Sequence, residues 1–124
     1  MAIAYAIDVE RGVVMARASG TFVADDIRII RDQLAVDPAF RSSYNQLFDL
    51  RDVTDFAIPS PSIDQISGTS IVEPGVRRAL VARSGIQFGL ARMFATMSEK
   101  HGHIVRVFRD LEAAMQWLLD GAAS

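Results

Sequence analysis

Cysteine is absent from all 124 residues. Disulfides, thiolate nucleophiles and cysteine-ligated metals are therefore excluded, and a cytoplasmic location is the default expectation. No apolar run approaches the ~20 residues of a membrane-spanning helix, so no membrane insertion is expected. The first residues also lack the basic start and cleavage region of a secretory signal.

Charge is unevenly distributed along the chain, although the net charge is only −2. Residues 1–76 carry six arginines against eleven Asp and Glu, residues 77–109 carry seven basic residues against one acid, and residues 110–124 carry three acids and no base. Two interpretations remain open: the basic segment faces an anion, or its arginines pair with the acidic first half. Nucleic-acid binding is not expected, because the sequence pI is about 5.6 and no aromatics interleave with the arginines.

Half of the residues are apolar, which is typical of a globular chain, and the length suits one domain covering residues 1–124. Alternating and helical apolar patterns predict an α/β fold, a five-stranded mixed sheet with an N-terminal hairpin and about four helices. The predicted strands cover residues 3–9, 13–18, 44–50, 77–82 and 104–108. The predicted helices start near residues 23, 60, 84 and 110.

Charged residues that are candidates for a binding cluster lie at the end of the third predicted strand, residues 44–50: Asp49, Arg51, Asp52 and Asp55. We expect them at the carboxyl edge of the sheet, where open α/β sheets place ligand sites. Arg51 is suited to holding a carboxylate or phosphate bidentately. The alternative is that Asp49 and Asp52 accept backbone N–H groups and shape the loop. Acid–base catalysis is not expected, since a nearby arginine lowers the pKa of a carboxyl rather than raising it.

A weak second helix is expected after this strand. Ser60 is placed as its N-cap and is followed by proline at the first helical position. A phosphate at Ser60 would meet unsatisfied N–H groups, and Ser62 lies close by. Both serines are candidate regulatory residues.

Bulky apolar residues in the last two helices have more than one interpretation. In the long helix 84–100, Leu90, Met93 and their neighbours at helical spacing are expected to face the core. The set Phe88, Met93 and Trp117 fits core packing, a self-association face that would make a homodimer, or a groove for an apolar ligand.

Two further motifs are weak. His101 and His103 have no third ligand of suitable type nearby, so they indicate a solvated turn rather than a metal site. Gly85 and Gly89 lack the Lys-Ser/Thr of a phosphate loop and the third glycine of a dinucleotide fingerprint, and close packing of the helix on the sheet is expected to explain them. We predict no catalytic residue, no metal and no cofactor.

The whole chain resembles short stand-alone bacterial proteins of the STAS family, which have the SpoIIAA-like fold shared with Sec14-type lipid-transfer domains. The segments that carry the resemblance are Leu47-Phe48-Asp49-Leu50-Arg51-Asp52-Val53, Arg78-Ala79-Leu80-Val81-Ala82, Phe88-Gly89-Leu90-Ala91-Arg92-Met93-Phe94, Val107-Phe108-Arg109-Asp110 and Ala114-Met115-Gln116-Trp117-Leu118.

Regulatory STAS domains have an Asp-Leu-Ser turn after the third strand, followed by an Asp-Ser pair whose serine is phosphorylated. Asp49-Leu50 matches the start of that turn, but Arg51 replaces its serine. No Asp-Ser pair follows, and the nearest serines are Ser60 and Ser62. The resemblance therefore implies a STAS-like module without the usual phosphorylation site.

The favoured hypothesis is a non-enzymatic regulatory module that docks a protein partner through residues 49–70 and the long helix. The alternative is a carrier of a small apolar or lipid-like ligand, bound in a pocket beneath the second and third helices. An enzyme is not favoured, because no catalytic constellation is present.

Overall fold

One five-stranded sheet with helices on both sides organises the chain. The structure is a computed structural model that describes residues 3–57, 73, 75–83, 85–100 and 102–122. The strands are β1 (Ile3–Asp8), β2 (Val13–Val23), β3 (Asn45–Ala57), β4 (Arg77–Val81) and β5 (Ile104–Phe108). The described helices are α1 (Ala24–Ala35), α2 (Gly85–Lys100) and α3 (Leu111–Ala122). The second predicted helix lies outside the described residues.

The sheet has the strand order β1-β2-β3-β4-β5. β1 and β2 form the predicted antiparallel hairpin, and Gly12 takes a φ of 64° in its turn. β2, β3, β4 and β5 run parallel to one another. The prediction of a mixed α/β sheet with an N-terminal hairpin is confirmed.

Two hydrophobic cores lie on opposite sides of this sheet. The α1/α2 core contains Ile30 and Leu34 of α1 and Ala91 and Ala95 of α2, packed against residues of all five strands. The α3 core is smaller. Its buried members are Val13, Leu47, Ala79, Val81, Ala114 and Leu118.

The third strand is longer than predicted, because β3 continues past Leu50 to Ala57. Two irregularities explain the difference. The pairing of β3 with β2 shifts between Arg17 and Ser19 and again between Gly20 and Thr21, each time leaving one extra residue in β3. After Leu50 the strand loses the period of two that identifies a strand in a sequence.

Aspartate side chains accept backbone N–H groups at the starts of two helices. The Val23 N–H donates to Asp26 Oδ2 at 2.9 Å at the start of α1, and the Ala113 N–H donates to Asp110 Oδ2 at 3.0 Å at the start of α3. The apolar pattern of the last helix predicts that Leu111 faces inward and that Gly121 ends the helix. Both details are wrong, because Leu111 is exposed and α3 continues to Ala122.

α2 is rotated relative to the prediction. Its small residues Ala91, Ala95 and Ser98 are buried, whereas Leu90 and Met93 are only half-buried. The predicted inward stripe therefore does not form the main contact with the sheet. The explanation offered for Gly85 and Gly89 is also wrong, because a Cβ built on either glycine meets no atom of the described residues within 4 Å.

No helix in the described ranges is both long enough and apolar enough to cross a bilayer.

Candidate functional site

Asp49 lies level with the C-terminal ends of β4 and β5, the two strands that follow β3 in the sheet. The register pairs Asp49 with Val81, the last residue of β4, and Val81 with Phe108, the last residue of β5. β3 then continues to Ala57 alongside β2 alone among the described strands. Asp49 is therefore in the middle of its own strand but at the carboxyl rim of β4 and β5, and the prediction that its strand ends at Leu50 is wrong.

The carboxylate of Asp49 is buried and is bound by Arg51 from the same strand. Arg51 Nε donates to Asp49 Oδ1 and its Nη2 donates to Oδ2, both at 2.9 Å. The Arg51 backbone N–H also donates to Asp49 Oδ1 at 3.1 Å. Residues two apart in a strand share a face, so this bidentate contact forms within one strand.

The surroundings of Asp49 affect its pKa in opposite directions. Burial alone would raise the pKa, but the hydrogen bonds from the Arg51 side chain and backbone, with the charges of Arg51 and Arg17, hold it below the ordinary value of 3.8. The pKa of Arg51 is raised, first by its hydrogen bond to Asp49 and also by the nearby charges of Asp52 and Asp110. Both groups remain charged at neutral pH.

Arg17 of β2 completes this charged group, which we call the Asp49 cluster (Arg17, Asp49, Arg51 and Asp52). Its Nη2 lies 2.5 Å from Asp52 Oδ2, and its Nε donates to the same oxygen at 3.0 Å. Regular alternation would place Asp52 on the opposite face from Asp49. The bulge next to Leu50 removes that alternation and lets Asp52 reach Arg17 on the neighbouring strand.

The charged groups of the Asp49 cluster are paired with one another. The Nε/Nη2 edge of the Arg51 guanidinium already holds Asp49 bidentately. A carboxyl with a lowered pKa is also a poor proton donor near neutral pH. This geometry is the one expected from the alternative interpretation, in which Asp49 accepts a backbone N–H and shapes the backbone that follows it. No group of three or more His, Asp or Glu side chains in the described part of the chain is arranged to hold a metal.

The three bulky apolar candidates are not brought together. Phe88 packs against the α1/α2 core, where Arg109 lies 4.6 Å from its ring centre. Trp117 packs on the opposite side of the sheet, against the α3 core. Met93 is half-buried and belongs to neither core among the described residues. Ser60 and Ser62 lie outside the described residues.

Three arginines of the basic segment 77–109 form no ion pair with the acidic first half among the described residues: Arg77, Arg106 and Arg109. The five ion pairs found between described residues all join residues from Asp8 to Asp52. Arg77 and Arg106 instead lie against Trp117, with their guanidinium carbons 5.0 Å and 5.6 Å from its ring centre.

Sequence reasoning missed Arg17 and the pairing of Trp117 with two arginines. Arg17 carries no local signal, since its contact with Asp52 depends on the β2–β3 register and its bulge. The surplus of arginine in residues 77–109 was a usable signal for the second feature. It did not indicate which arginines would meet Trp117.

No family model and no curated protein matches this sequence. Among solved structures, the chain is similar to an uncharacterized protein of the DUF3478 family with a SpoIIAA-like fold from Shewanella loihica. The TM-score is 0.63 at 15% sequence identity, over 94% of this chain and 93% of that chain. This chain has a SpoIIAA-like fold.

The resemblance to STAS proteins is thereby confirmed at the level of the fold. Many functions share a common fold, so a role for this SpoIIAA-like chain has to be argued from its own side chains. The relevant features are the Asp49 cluster, the half-buried apolar flank of α2 and the arginines around Trp117.

Proposed function

We propose that this chain is a non-enzymatic, STAS-like regulatory module that docks a protein partner on the half-buried apolar flank of α2. The observation that carries the proposal is the orientation of this helix. Its small residues are turned to the sheet, while Leu90, Met93 and Met97 are half-buried and belong to neither core among the described residues. We call these three residues the α2 stripe.

The spacing of the α2 stripe suits a contact surface. Residues 90, 93 and 97 are three and four positions apart, which places them on one side of a helix. Leucine and methionine contribute apolar area, and methionine adapts its shape to different partners. Apolar side chains left outside the core of a small domain usually mark a contact with another molecule.

The Asp49 cluster supports a role other than catalysis. Its charged groups bind one another, and the pKa of Asp49 is displaced away from neutral pH rather than towards it. We propose that Asp49 and Arg51 fix the course of β3 at the rim and that Asp52 and Arg17 join β3 to β2. The proposed module needs no cofactor and acts in the cytoplasm, as the sequence also led us to expect.

Site-specific photo-crosslinking in the native cells tests the docking proposal. A photo-reactive phenylalanine derivative replaces Met93 in one variant and Gln116, an exposed residue of α3, in a matched control. We expect a discrete adduct with another protein from position 93 and none from position 116. Equal adducts from both positions, or none from position 93, would contradict the proposal.

The mass of the adduct separates a partner protein from a second copy of the chain. An adduct of twice the chain mass would identify the α2 stripe as a homodimer face and replace the partner proposal.

A phosphate switch at Ser60 or Ser62 remains a separate part of the proposal, and it depends on the sequence alone. Intact-mass and peptide mass spectrometry of the protein from its native cells tests it, and we expect one phosphate on one of these two serines under some growth condition. Its absence under every condition would remove the switch and leave the docking proposal standing.

The carrier alternative remains a prediction, because the helix that would close the pocket falls outside the described residues. Native mass spectrometry of the purified chain tests it. A bound lipid-like mass would favour a carrier, and a protein that is always empty would count against one.

A further inference from the structure

The outer edge of β5 has no strand beside it in the sheet as described. β5 pairs only with β4, and the Ala82 N–H donates to the Phe108 carbonyl at 2.9 Å. The N–H and C=O of one residue in a strand point to the same side, and successive residues alternate. Residues 104, 106 and 108 therefore bond towards β4, and the backbone groups of Val105 and Val107 point outward.

The side chains at this edge are basic and aromatic on the α3 side of the sheet. Arg106 is exposed, and its guanidinium carbon lies 5.4 Å from the ring centre of Phe108 and 5.6 Å from that of Trp117. Arg77 lies against Trp117 at 5.0 Å and donates from Nη1 to the Trp117 carbonyl at 3.1 Å. Trp117 thus contacts two guanidinium groups.

Neither of these arginines is neutralised. In the part of the chain that the structure describes, no carboxylate lies within 4 Å of the side chain of Arg77 or Arg106. Stacking on the aromatic rings restricts both guanidinium groups without cancelling their charge. The edge therefore combines free backbone hydrogen-bonding groups with two positioned positive charges.

We propose that the outer edge of β5 is a strand-addition site for an extended, acidic segment of a protein partner. The backbone of that segment pairs with Val105 and Val107, and its acidic side chains on the α3 side of the sheet meet Arg106 and Arg77. Main-chain pairing supplies affinity in this mode of recognition, and side chains on alternate positions supply specificity. Exposed Ile104, on the same face as Arg106, is suited to an apolar residue of the segment.

A second copy of the chain fits this edge less well. The antiparallel register in which Val105 of each copy pairs with Val107 of the other places Arg106 directly opposite Arg106. Like charges in directly opposed positions of a sheet are destabilising, and a basic residue in an edge strand commonly prevents such self-pairing. The charge at the middle of β5 therefore favours an acidic partner.

This edge is separate from the α2 stripe, because α2 packs on the other side of the sheet. The inference goes beyond the proposed function, and crosslinking at Met93 neither supports nor weakens it.

Amide hydrogen exchange followed by NMR tests the proposal on the full chain. The probe is a short capped peptide of alternating glutamate and valine, and the control is its lysine–valine counterpart. We expect the acidic peptide to slow exchange at Val105 and Val107. The amides of Arg106 and Phe108 already bond to β4, so their exchange should change little.

Variants test the contribution of charge. We expect Arg106→Gln to weaken binding of the acidic peptide about tenfold, with added salt acting in the same direction. The control Arg92→Gln removes an exposed arginine of α2 and should leave the affinity unchanged. Unchanged circular dichroism and melting temperature in both variants exclude unfolding as the cause.

Three results would overturn the proposal. Equal binding of the lysine–valine peptide, or full affinity in Arg106→Gln, would refute charge recognition. Binding that leaves the exchange of Val105 and Val107 unchanged, or no binding at all, would refute strand addition. Concentration-dependent protection of these two amides without peptide would assign the edge to a second copy of the chain.

Discussion

The charge of Asp49 is neutralised within its own strand, which makes its ion pair a structural element at the rim of the sheet. A buried carboxylate that loses its ion-pair partner still carries the free-energy cost of desolvation, but it no longer gains the electrostatic attraction that offsets this cost. We therefore expect Arg51 to stabilise the fold by neutralising the carboxylate of Asp49. Its side chain remains 29% exposed, so water provides part of the compensation when the pair is broken.

We predict that Arg51→Met destabilises the fold at neutral pH by roughly 1–3 kcal/mol, because Asp49 is left charged and buried. Urea unfolding measures the loss. The control is Arg28→Met, whose partners Asp25 and Asp32 are exposed, and it should change stability far less. Equal losses in the two variants would show that burial of Asp49 has no influence on stability.

The pH dependence of the same variant follows from the lowered pKa of Asp49. In the native chain its ion pair stabilises the fold above the unfolded value near 4, and this contribution is lost as the pH falls through the lower folded value. In Arg51→Met, burial raises the pKa of Asp49, so the carboxyl takes up a proton at a higher pH. The deficit of the variant should therefore shrink between pH 7 and pH 4. A deficit that stays constant over this range would contradict the assignment.

At the scale of secondary-structure elements, two glycines, one inside α2 and one just after its end, have different conformational requirements. Gly89 lies inside the helix, and a Cβ added there meets no described atom within 4 Å. Gly102 follows the helix with a φ of 80°, and the hydrogen bonds from the Gly102 N–H to the Glu99 carbonyl and from the His103 N–H to the Ser98 carbonyl close a Schellman motif. Only the second glycine has a conformational requirement.

We predict that Gly89→Ala stabilises the fold by about 0.5–1 kcal/mol, since alanine lowers the entropy lost on forming a helix. Gly102→Ala should instead destabilise it by roughly 1–2 kcal/mol, because a side chain is strained at positive φ. Thermal and urea unfolding of the two variants provide the comparison. A loss of stability in Gly89→Ala would indicate that another molecule or segment packs against that face of α2.

The sequence predicts elements well where their periodicity is regular. The hairpin, α1 with Ile30 and Leu34 buried, and β4 all follow from such patterns. The second half of β3 does not, because Leu50, Val53 and Phe56, three residues apart, all pack in the α1/α2 core. This spacing is produced by the two bulges, which result from pairing with β2 and carry no local sequence signal.

The candidate site shows the same limit. The sequence places Asp49, Arg51 and Asp52 together because they are neighbours along the chain. Whether Arg51 holds an external anion or Asp49 depends on side-chain geometry that composition does not encode. The separation of Phe88 from Trp117 by the sheet likewise depends on which helix packs on which side, and the helical patterns leave that choice open.

At the scale of the whole molecule, the two cores share one sheet. Val13 and Val14 are adjacent in β2 but belong to opposite cores, as do Leu80 and Val81 in β4. Damage to one core therefore displaces strands that also support the other. Small domains with such shared elements usually unfold in one cooperative transition.

We predict that damage to the α1/α2 core is detected equally on the α3 side of the sheet. Leu34→Ala removes a buried side chain of α1 and should cost about 2–5 kcal/mol. The corresponding fall in melting temperature is roughly 3–5 °C per kcal/mol for a chain of this size.

Trp117, the single tryptophan, reports on the α3 core by fluorescence, while far-ultraviolet circular dichroism reports on the whole fold. Both midpoints should fall together, and Leu118→Ala on α3 serves as the reciprocal control. If the fluorescence midpoint of the variant stayed at the value of the unmutated chain while its dichroism midpoint fell, the α1/α2 core and the α3 core would unfold independently. The shared sheet would then not couple them.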